Sequence, residues 1–239
     1  MRGVPYLTAD EMRKVDRAMV VDARIELIQM MENAGHVLAM LARDRFLGGD
    51  PVGRRILALC GTGNNGGGGL VAARRLHGWG ARVRVITTRP GEAFLGVPEH
   101  QLDIVERLGI PCTHIAEPTV LGEFDLVLDA IIGYGLDGPP REGAARMIGL
   151  ANDLGPPILS LDVPSGLDAT TGAAAGEVVR PDATLTLGLP KIGLDPDRAG
   201  GGAGEIYVGD IGIPPQIYAG SGLAYDVGPI FAQRPYIRA

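Results

Sequence analysis

Apolar and polar positions divide the chain into helical and extended segments. Thr8-Ala9-Asp10-Glu11 has the form of a capping box, in which the threonine hydroxyl accepts from a first-turn N–H and the glutamate reaches back. A helix is predicted from there to about Asp22. A second is predicted over 26–46, with Ile28, Met31, Val37, Leu38 and Leu41 supplying an apolar face, and Gly48-Gly49-Asp50-Pro51 ends it. A repeated alternation follows. Strands are predicted over 55–60, 82–87, 125–129 and 157–161, and helices over 70–79, 99–108 and 144–154. Further strands are predicted over 183–187 and 205–208, with a flexible loop over 199–204. Strands separated by helices of about ten residues imply right-handed βαβ crossovers and a mostly parallel central sheet, so the fold class is α/β. No interdomain linker interrupts the pattern. One domain is expected over 1–218, with two N-terminal helices within 8–47 and an α/β core over 54–214. Residues 219–239 have weak periodicity and read as a packed C-terminal tail.

Composition narrows the picture. With 46% hydrophobic residues in 239, the chain can bury a full core, and with only 5% aromatics that core must be aliphatic. The balance of 28 acidic against 22 basic residues leaves −6, and an acidic chain gains no counterion-release free energy on nucleic acid. Arg74, Arg75, Arg82 and Arg84 read as solvated charges. No apolar run approaches the roughly 18 residues that span a bilayer, so no membrane association is expected. Met1-Arg2-Gly3-Val4-Pro5 has no apolar signal core, and the expected location is cytoplasmic. Cys60 and Cys112 lie in apolar stretches without a CxxC pattern and read as buried, reduced thiols. Met19, Val20, Met30, Met31 and Met40 suit either the core or a homodimer interface.

Ligands of open α/β sheets collect at the carboxyl ends of strands, and three motifs fall there. Gly61-Thr62-Gly63-Asn64-Asn65-Gly66-Gly67-Gly68-Gly69 follows the first strand. Its glycines allow close backbone approach, its N–H groups and the next helix's N-terminus suit an anion, and its asparagines offer amide groups to a ligand or metal ion. It lacks the Lys-Ser/Thr of a P-loop. Asp129-Ala130-Ile131-Ile132-Gly133-Tyr134-Gly135-Leu136 places a carboxylate at a strand end, either as an Asx-turn cap or as part of a site. Asp162-Val163-Pro164-Ser165-Gly166-Leu167-Asp168 leaves the sheet in a Pro-Ser-Gly turn, where Asp162 is placed for turn chemistry or for general acid/base work. Gly-x-Ser-x-Gly is absent around Ser165. His36, His77, His100 and His114 are scattered, with neither a Ser-His-Asp order nor zinc spacing.

Together these residues resemble the YjeF N-terminal family, the NAD(P)H-hydrate epimerases. The resemblance includes Met31-Glu32-Asn33-Ala34-Gly35 ("MExAG"), Gly63-Asn64-Asn65-Gly66-Gly67, Asp129 with Gly133-x-Gly135, and the 162–168 motif with Gly172. It continues through Gly188-Leu189-Pro190-Lys191-Ile192-Gly193-Leu194 ("GxPKxGL") and Gly209-Asp210-Ile211-Gly212-Ile213-Pro214. It implies a Rossmann-like three-layer αβα sandwich. It also implies interconversion of the R and S forms of hydrated NADH or NADPH, with a separate NAD(P)H-hydrate dehydratase consuming the S form. The resemblance implies a potassium ion held by the side chains of Asn65, Asp129 and Ser165. It places substrate against Asn64, Asn65, Gly66, Gly67 and Gly68, against Gly133, Tyr134, Gly135, Leu136, Asp137, Gly138 and Pro139, and against Asp162, the candidate acid/base. The chain departs from the family twice. Gly68 stands where the family usually carries aspartate, and Thr88-Arg89-Pro90 where it often has a lysine before Arg-Pro; the charge of Arg89 can substitute in part. A nucleotide-binding or scaffold module of the same fold, with weakened catalysis, is the alternative.

Overall fold

The computed structural model describes residues 4–118, 120–200 and 202–239. Residues 1–3 of the N-terminal stretch, Thr119, and Gly201 of the predicted 199–204 loop lie outside the described residues. The capping box forms as expected at α1 (Ala9–Val21): Thr8 Oγ1 accepts from Glu11 N–H at 3.1 Å, and Glu11 Oε2 accepts from Thr8 N–H at 2.8 Å. The second helix is α2 (Leu27–Leu41), and it ends in a π-helical turn over Ala42–Phe46 that the pattern had merged with it.

The sheet strands are β1 (Arg55–Cys60), β2 (Arg82–Thr87), β3 (Cys112–His114), β4 (Leu126–Ala130), β5 (Ile158–Leu161), β6 (Ala183–Leu187), β7 (Glu205–Gly209) and β8 (Tyr236–Arg238). Their order is β3-β2-β1-β4-β5-β6-β7-β8. All pairs are parallel except β7–β8, where the tail returns antiparallel as an edge strand. Side chains alternate between faces. Ile56, Ala58 and Cys60 of β1 pack in the layer of α2, α3 (Asn64–Gly78) and α4 (Val97–Arg107). Leu57 and Leu59 pack under α5 (Glu142–Asp153). The result is the expected three-layer sandwich. Two short helices, α6 (Pro196–Ala199) and α7 (Pro215–Gly220), complete the chain. Of the residues that suited a homodimer interface, Met19, Met30 and Met31 are buried within this chain. Among the described residues, no helix is long and apolar enough to cross a membrane.

Helix α3 starts at Asn64, six residues before the predicted boundary at Leu70. Gly66, Gly67, Gly68 and Gly69 are therefore helical and buried. Four helical glycines cost about 3–4 kcal/mol relative to alanine, so packing must require them. A Cβ on Gly66 would stand 1.8 Å from Gly61 O, on Gly67 2.5 Å from Met31 Sδ, and on Gly69 2.5 Å from Ala130 Cβ. On the facing helix, a Cβ on Gly35 would meet Val71 Cβ at 2.4 Å. The glycine run and the 31–35 motif thus let α2, α3 and the sheet approach closely.

Arg74 and Arg75 are not simply solvated. Both bind Glu32 of α2, Arg75 at 2.9 Å, and Gln101 Nε2 adds a hydrogen bond at 3.2 Å. Burial raises the Glu32 carboxyl, but hydrogen bonds and charge from the two arginines outweigh it, and its pKa lies below the ordinary value. A depressed carboxylate contributes stability above its unfolded pKa, about 4.3, which is lost as pH falls through the folded pKa. Glu32→Gln is expected to lower stability by about 1–2 kcal/mol at pH 7, reduced by partial solvation, and by less at acid pH. Urea titrations between about pH 7 and pH 3 check this; a loss independent of pH contradicts it. Cys60 is buried as expected, whereas Cys112 is only half-buried; burial pushes the Cys60 thiol well up and Cys112 to about 12, which keeps both protonated.

Candidate active site

The strand order reverses between β1 and β4, where the chain leaves β1 toward β2 and later returns on its other side. Doubly wound sheets bind ligands outside the carboxyl ends of strands at such a switch point. Here the two strand exits touch: a Cβ on Gly61 would stand 2.0 Å from Ile131 O. Above them opens a cavity of about 980 Å³, near the upper end of the roughly 300–1,000 Å³ range of small-molecule sites.

One wall is the start of α3, with Gly61, Thr62, Gly63, Asn64, Asn65 and Gly68. The facing wall is the 131–144 segment, including Gly133, Tyr134, Gly135, Leu136, Asp137 and Pro139. Asp162 lies between them, and Met12, Met30 and Met31 close an apolar end. Thr88 and Arg89, the position of the family's lysine, also face this space. Of the expected substrate-binding residues, Gly66, Gly67 and Gly138 do not form the wall. Gly66 and Gly67 instead face backbone and α2.

Asp162 follows β5 with φ +71°, a left-handed conformation uncommon for a residue bearing a Cβ. Its carboxylate is held from two sides. Oδ2 accepts from Tyr134 N–H at 2.8 Å, and Oδ1 accepts from Lys191 Nζ at 2.5 Å. Lys191 is fully buried and also donates to Leu187 O at 2.8 Å. The Tyr134 ring lies over this ammonium, 5.8 Å from Nζ to the ring centroid, and its hydroxyl donates to Asp16 of α1. Burial raises the Asp16 carboxyl above its ordinary value, against the Tyr134 hydrogen bond and the Lys191 charge and with the charge of Asp162. Burial and the neighbouring Asp16 likewise raise the Tyr134 hydroxyl.

Asp16 and the part played by Lys191 were missed from sequence. Two signals were present. Asp16 shares a helical stripe with Met12, Val15 and Met19, so it is an acid on an apolar face. Lys191 is one of two lysines in the chain and sits in an apolar run.

Asp129 is the penultimate residue of β4 and is fully buried. Ser160 Oγ and Ser165 N–H donate to its Oδ2 at 2.7 and 2.9 Å, and Ser165 Oγ and Ile131 N–H to its Oδ1 at 2.5 and 3.2 Å. Burial raises its pKa, and these hydrogen bonds oppose the rise. The Ile131 N–H bond to Asp129 Oδ1, two residues on, is the Asx turn that the sequence allows, and Asp129 also belongs to a polar cluster with Ser160 and Ser165. Ser165 Oγ also accepts from Ile132 N–H at 2.8 Å and lies 3.1 Å from Ile132 O. Next along the chain, a Cβ on Gly133 would stand 3.2 Å from Asn65 Oδ1 and 3.0 Å from Asp162 Oδ2. The 131–133 turn thus gathers Asn65, Asp129, Asp162 and Ser165.

Among the described residues, no three His, Cys, Asp or Glu side chains form a metal-binding group. A cation here would meet amide, hydroxyl, carbonyl and single-carboxylate oxygens, the donors that suit a hard ion. Among the described residues, the hydrogen bonds to Asp129 come from uncharged donors. A buried carboxylate without a cationic hydrogen-bond partner favours positive charge nearby. The residues present therefore fit a hard cation.

Gly68 shows what its departure from the family does. A Cβ there would meet Leu161 Cδ2 at 2.8 Å, so a buried leucine methyl fills the space beside it. Gly68→Asp is expected to cost about 1–3 kcal/mol by crowding Leu161. Leu161→Ala opens that space, and the pair should show a coupling of about 0.5–3 kcal/mol in a double-mutant cycle read by urea unfolding. Simple additivity contradicts the contact.

A doubly wound α/β domain with its cavity at the switch point and a buried Lys–Asp pair inside it belongs to the Rossmann-like class with a small-molecule site. The family described as "YjeF-related protein N-terminus" matches residues 27–193, and the chain belongs to that family. An "NAD(P)H-hydrate epimerase" of Dehalogenimonas lykanthroporepellens is 43% identical over 231 residues, which cover 97% of this chain and 91% of that protein. One of the same description from Truepera radiovictrix is 38% identical, with 89% and 90% covered. The "Bifunctional NAD(P)H-hydrate repair enzyme Nnr" of Dictyoglomus turgidum is 34% identical over 88% of this chain but only 41% of its own length. A crystal structure of yeast ynu0 shares the fold, with a TM-score of 0.79 at 23% identity over 99% of this chain and all of that one.

Proposed function

We propose that the protein is an isomerase that interconverts the R and S forms of hydrated NADH or NADPH, so that an NAD(P)H-hydrate dehydratase can restore the nicotinamide cofactor from the S form. The observation that carries this reading is the Asp162 carboxylate, held in a left-handed turn between Lys191 and Tyr134 N–H inside the switch-point cavity. A fixed carboxylate in a partly apolar cavity is suited to proton transfer. The epimerases to which the chain is similar over nearly its whole length support the same reading.

The start of α3 offers free N–H groups and the positive end of a helix to the dinucleotide phosphates. Asn64 and Asn65 supply amide contacts there, and the 133–139 segment covers the opposite side. Asp162 moves a proton at the hydrated ring. The protonated C6 hydroxyl leaves as water, the ring nitrogen lone pair stabilises the cation at C6, and water adds to C6 on either face and returns the proton to Asp162, so no atom is gained or lost overall. Asn65, Asp129 and Ser165 would hold a potassium ion, which when bound offsets carboxylate and pyrophosphate charge.

A coupled assay tests the proposal. Hydrate enriched in the R form is incubated with an S-specific dehydratase and its phosphoryl donor. Adding this protein is expected to convert the slow R fraction into NADH at a rate proportional to protein concentration. A rate set by spontaneous epimerisation, whatever the protein concentration, overturns the reading.

A further inference from the structure

The chain has two lysines, Lys14 and Lys191. Lys14 is exposed, and Lys191 has no exposed surface although it borders the cavity. An ammonium has three N–H donors. In Lys191 they reach Asp162 Oδ1 at 2.5 Å, Leu187 O at 2.8 Å and Thr186 Oγ1 at 3.3 Å. Two of these acceptors belong to β6. The lysine backbone is fixed as well, because Leu7 N–H donates to Pro190 O at 2.8 Å and Ile192 N–H to Leu7 O at 2.9 Å. The cation is therefore held at one point by the sheet.

We infer that Lys191 is a positioning residue for the proposed epimerisation: it holds Asp162 Oδ1 and leaves Oδ2 as the oxygen that meets the substrate ring. The inference rests on the function proposed above. The two carboxylate oxygens differ in their surroundings. Oδ1 is engaged by the buried ammonium. Oδ2 has one fixed donor, Tyr134 N–H at 2.8 Å, and faces Gly133, where a Cβ would stand only 3.0 Å away. The glycine leaves that side open. Asp162 also has a left-handed backbone, which its surroundings must hold. Without the ammonium, Tyr134 N–H alone holds the carboxylate, which gains freedom about its χ angles, and the direction of the productive oxygen is less tightly fixed.

The test is steady-state epimerase kinetics of Lys191→Ala, with circular dichroism and thermal unfolding to establish folding, in the presence and absence of propylammonium. The expected result is a kcat lower by about 10²-fold, with KM changed by less than about 3-fold. Propylammonium, but not propanol, is expected to restore about 10-fold of the loss by placing a cation beside Oδ1. A folded Lys191→Ala protein with kcat near wild type overturns the role. So does a loss carried by KM, or a kcat loss that propylammonium does not reverse. Should that variant fail to fold, Thr186→Val removes only the longest of the three contacts. It is expected to lower kcat by about 2–5-fold at constant KM, and an unchanged kcat overturns the role. An inactive wild-type protein overturns the epimerase reading and this role with it; active wild type beside an unimpaired variant overturns the role alone.

Discussion

Asp162→Asn is expected to lower kcat for epimerisation by about 10²–10⁴-fold, the usual contribution of a positioned acid or base. The substitution keeps the shape of the side chain, and asparagine tolerates the left-handed backbone that position 162 requires. Its amide oxygen can still accept from Tyr134 N–H. The amide cannot exchange a proton at neutral pH, so binding should persist while turnover falls. Stability should fall too, because removing one partner of a buried ion pair leaves Lys191 uncompensated, at a cost of about 3–5 kcal/mol. In a chain of this size that lowers Tm by about 6–20 °C. Kinetics and a thermal scan on the same preparation separate the two effects. An Asp162→Asn protein that epimerises at the wild-type rate removes Asp162 from the mechanism.

Gly66→Ala is expected to disable the fold. Its Cβ would stand 1.8 Å from Gly61 O, 2.6 Å from Gly61 C and 2.8 Å from Gly61 N, all backbone atoms. Gly61 cannot retreat, because its own Cβ position lies 2.0 Å from Ile131 O and its N–H is bound to Ala130 O at 3.0 Å. The exits of β1 and β4 and the first turn of α3 thus form one clamp. Relief requires α3 to move off the sheet, and Gly67 and Gly69 resist through their contacts with Met31 and Ala130. A loss above about 4 kcal/mol is expected, against a total stability of roughly 5–15 kcal/mol. Soluble yield and the urea midpoint measure it. Gly78→Ala in the same helix is the control: nothing lies within 4 Å of its Cβ position, and a gain of up to about 1 kcal/mol is expected. A Gly66→Ala midpoint equal to wild type would contradict the clamp.

These glycines also show what could be read from the sequence. β1, β4 and β5 were legible because strands buried on both faces have few polar interruptions, and β2, β6 and β7 because alternating, β-branched or aromatic residues mark a strand. β3 and β8 were not: each has three residues, and their pairing comes from neighbouring strands. The start of α3 was misplaced because four consecutive glycines oppose helix formation locally, and only tertiary packing makes them necessary. The three strand-end motifs pointed to one place, since topology puts such ends together. What each residue does there was less legible. Arg74 and Arg75 looked solvated because their partner, Glu32, lies on another helix. Lys191 lies within the 188–194 motif, but its partner is 29 residues away. Pairing across elements leaves no trace in local spacing.

The most direct test is proton exchange NMR on a mixture of R and S hydrated NADH with catalytic amounts of the wild-type protein. The account predicts that the two C6 proton signals exchange magnetisation at a rate proportional to protein concentration. Saturable line broadening of both epimers without exchange between them would contradict it, and would describe a module that holds the nucleotide without transforming it.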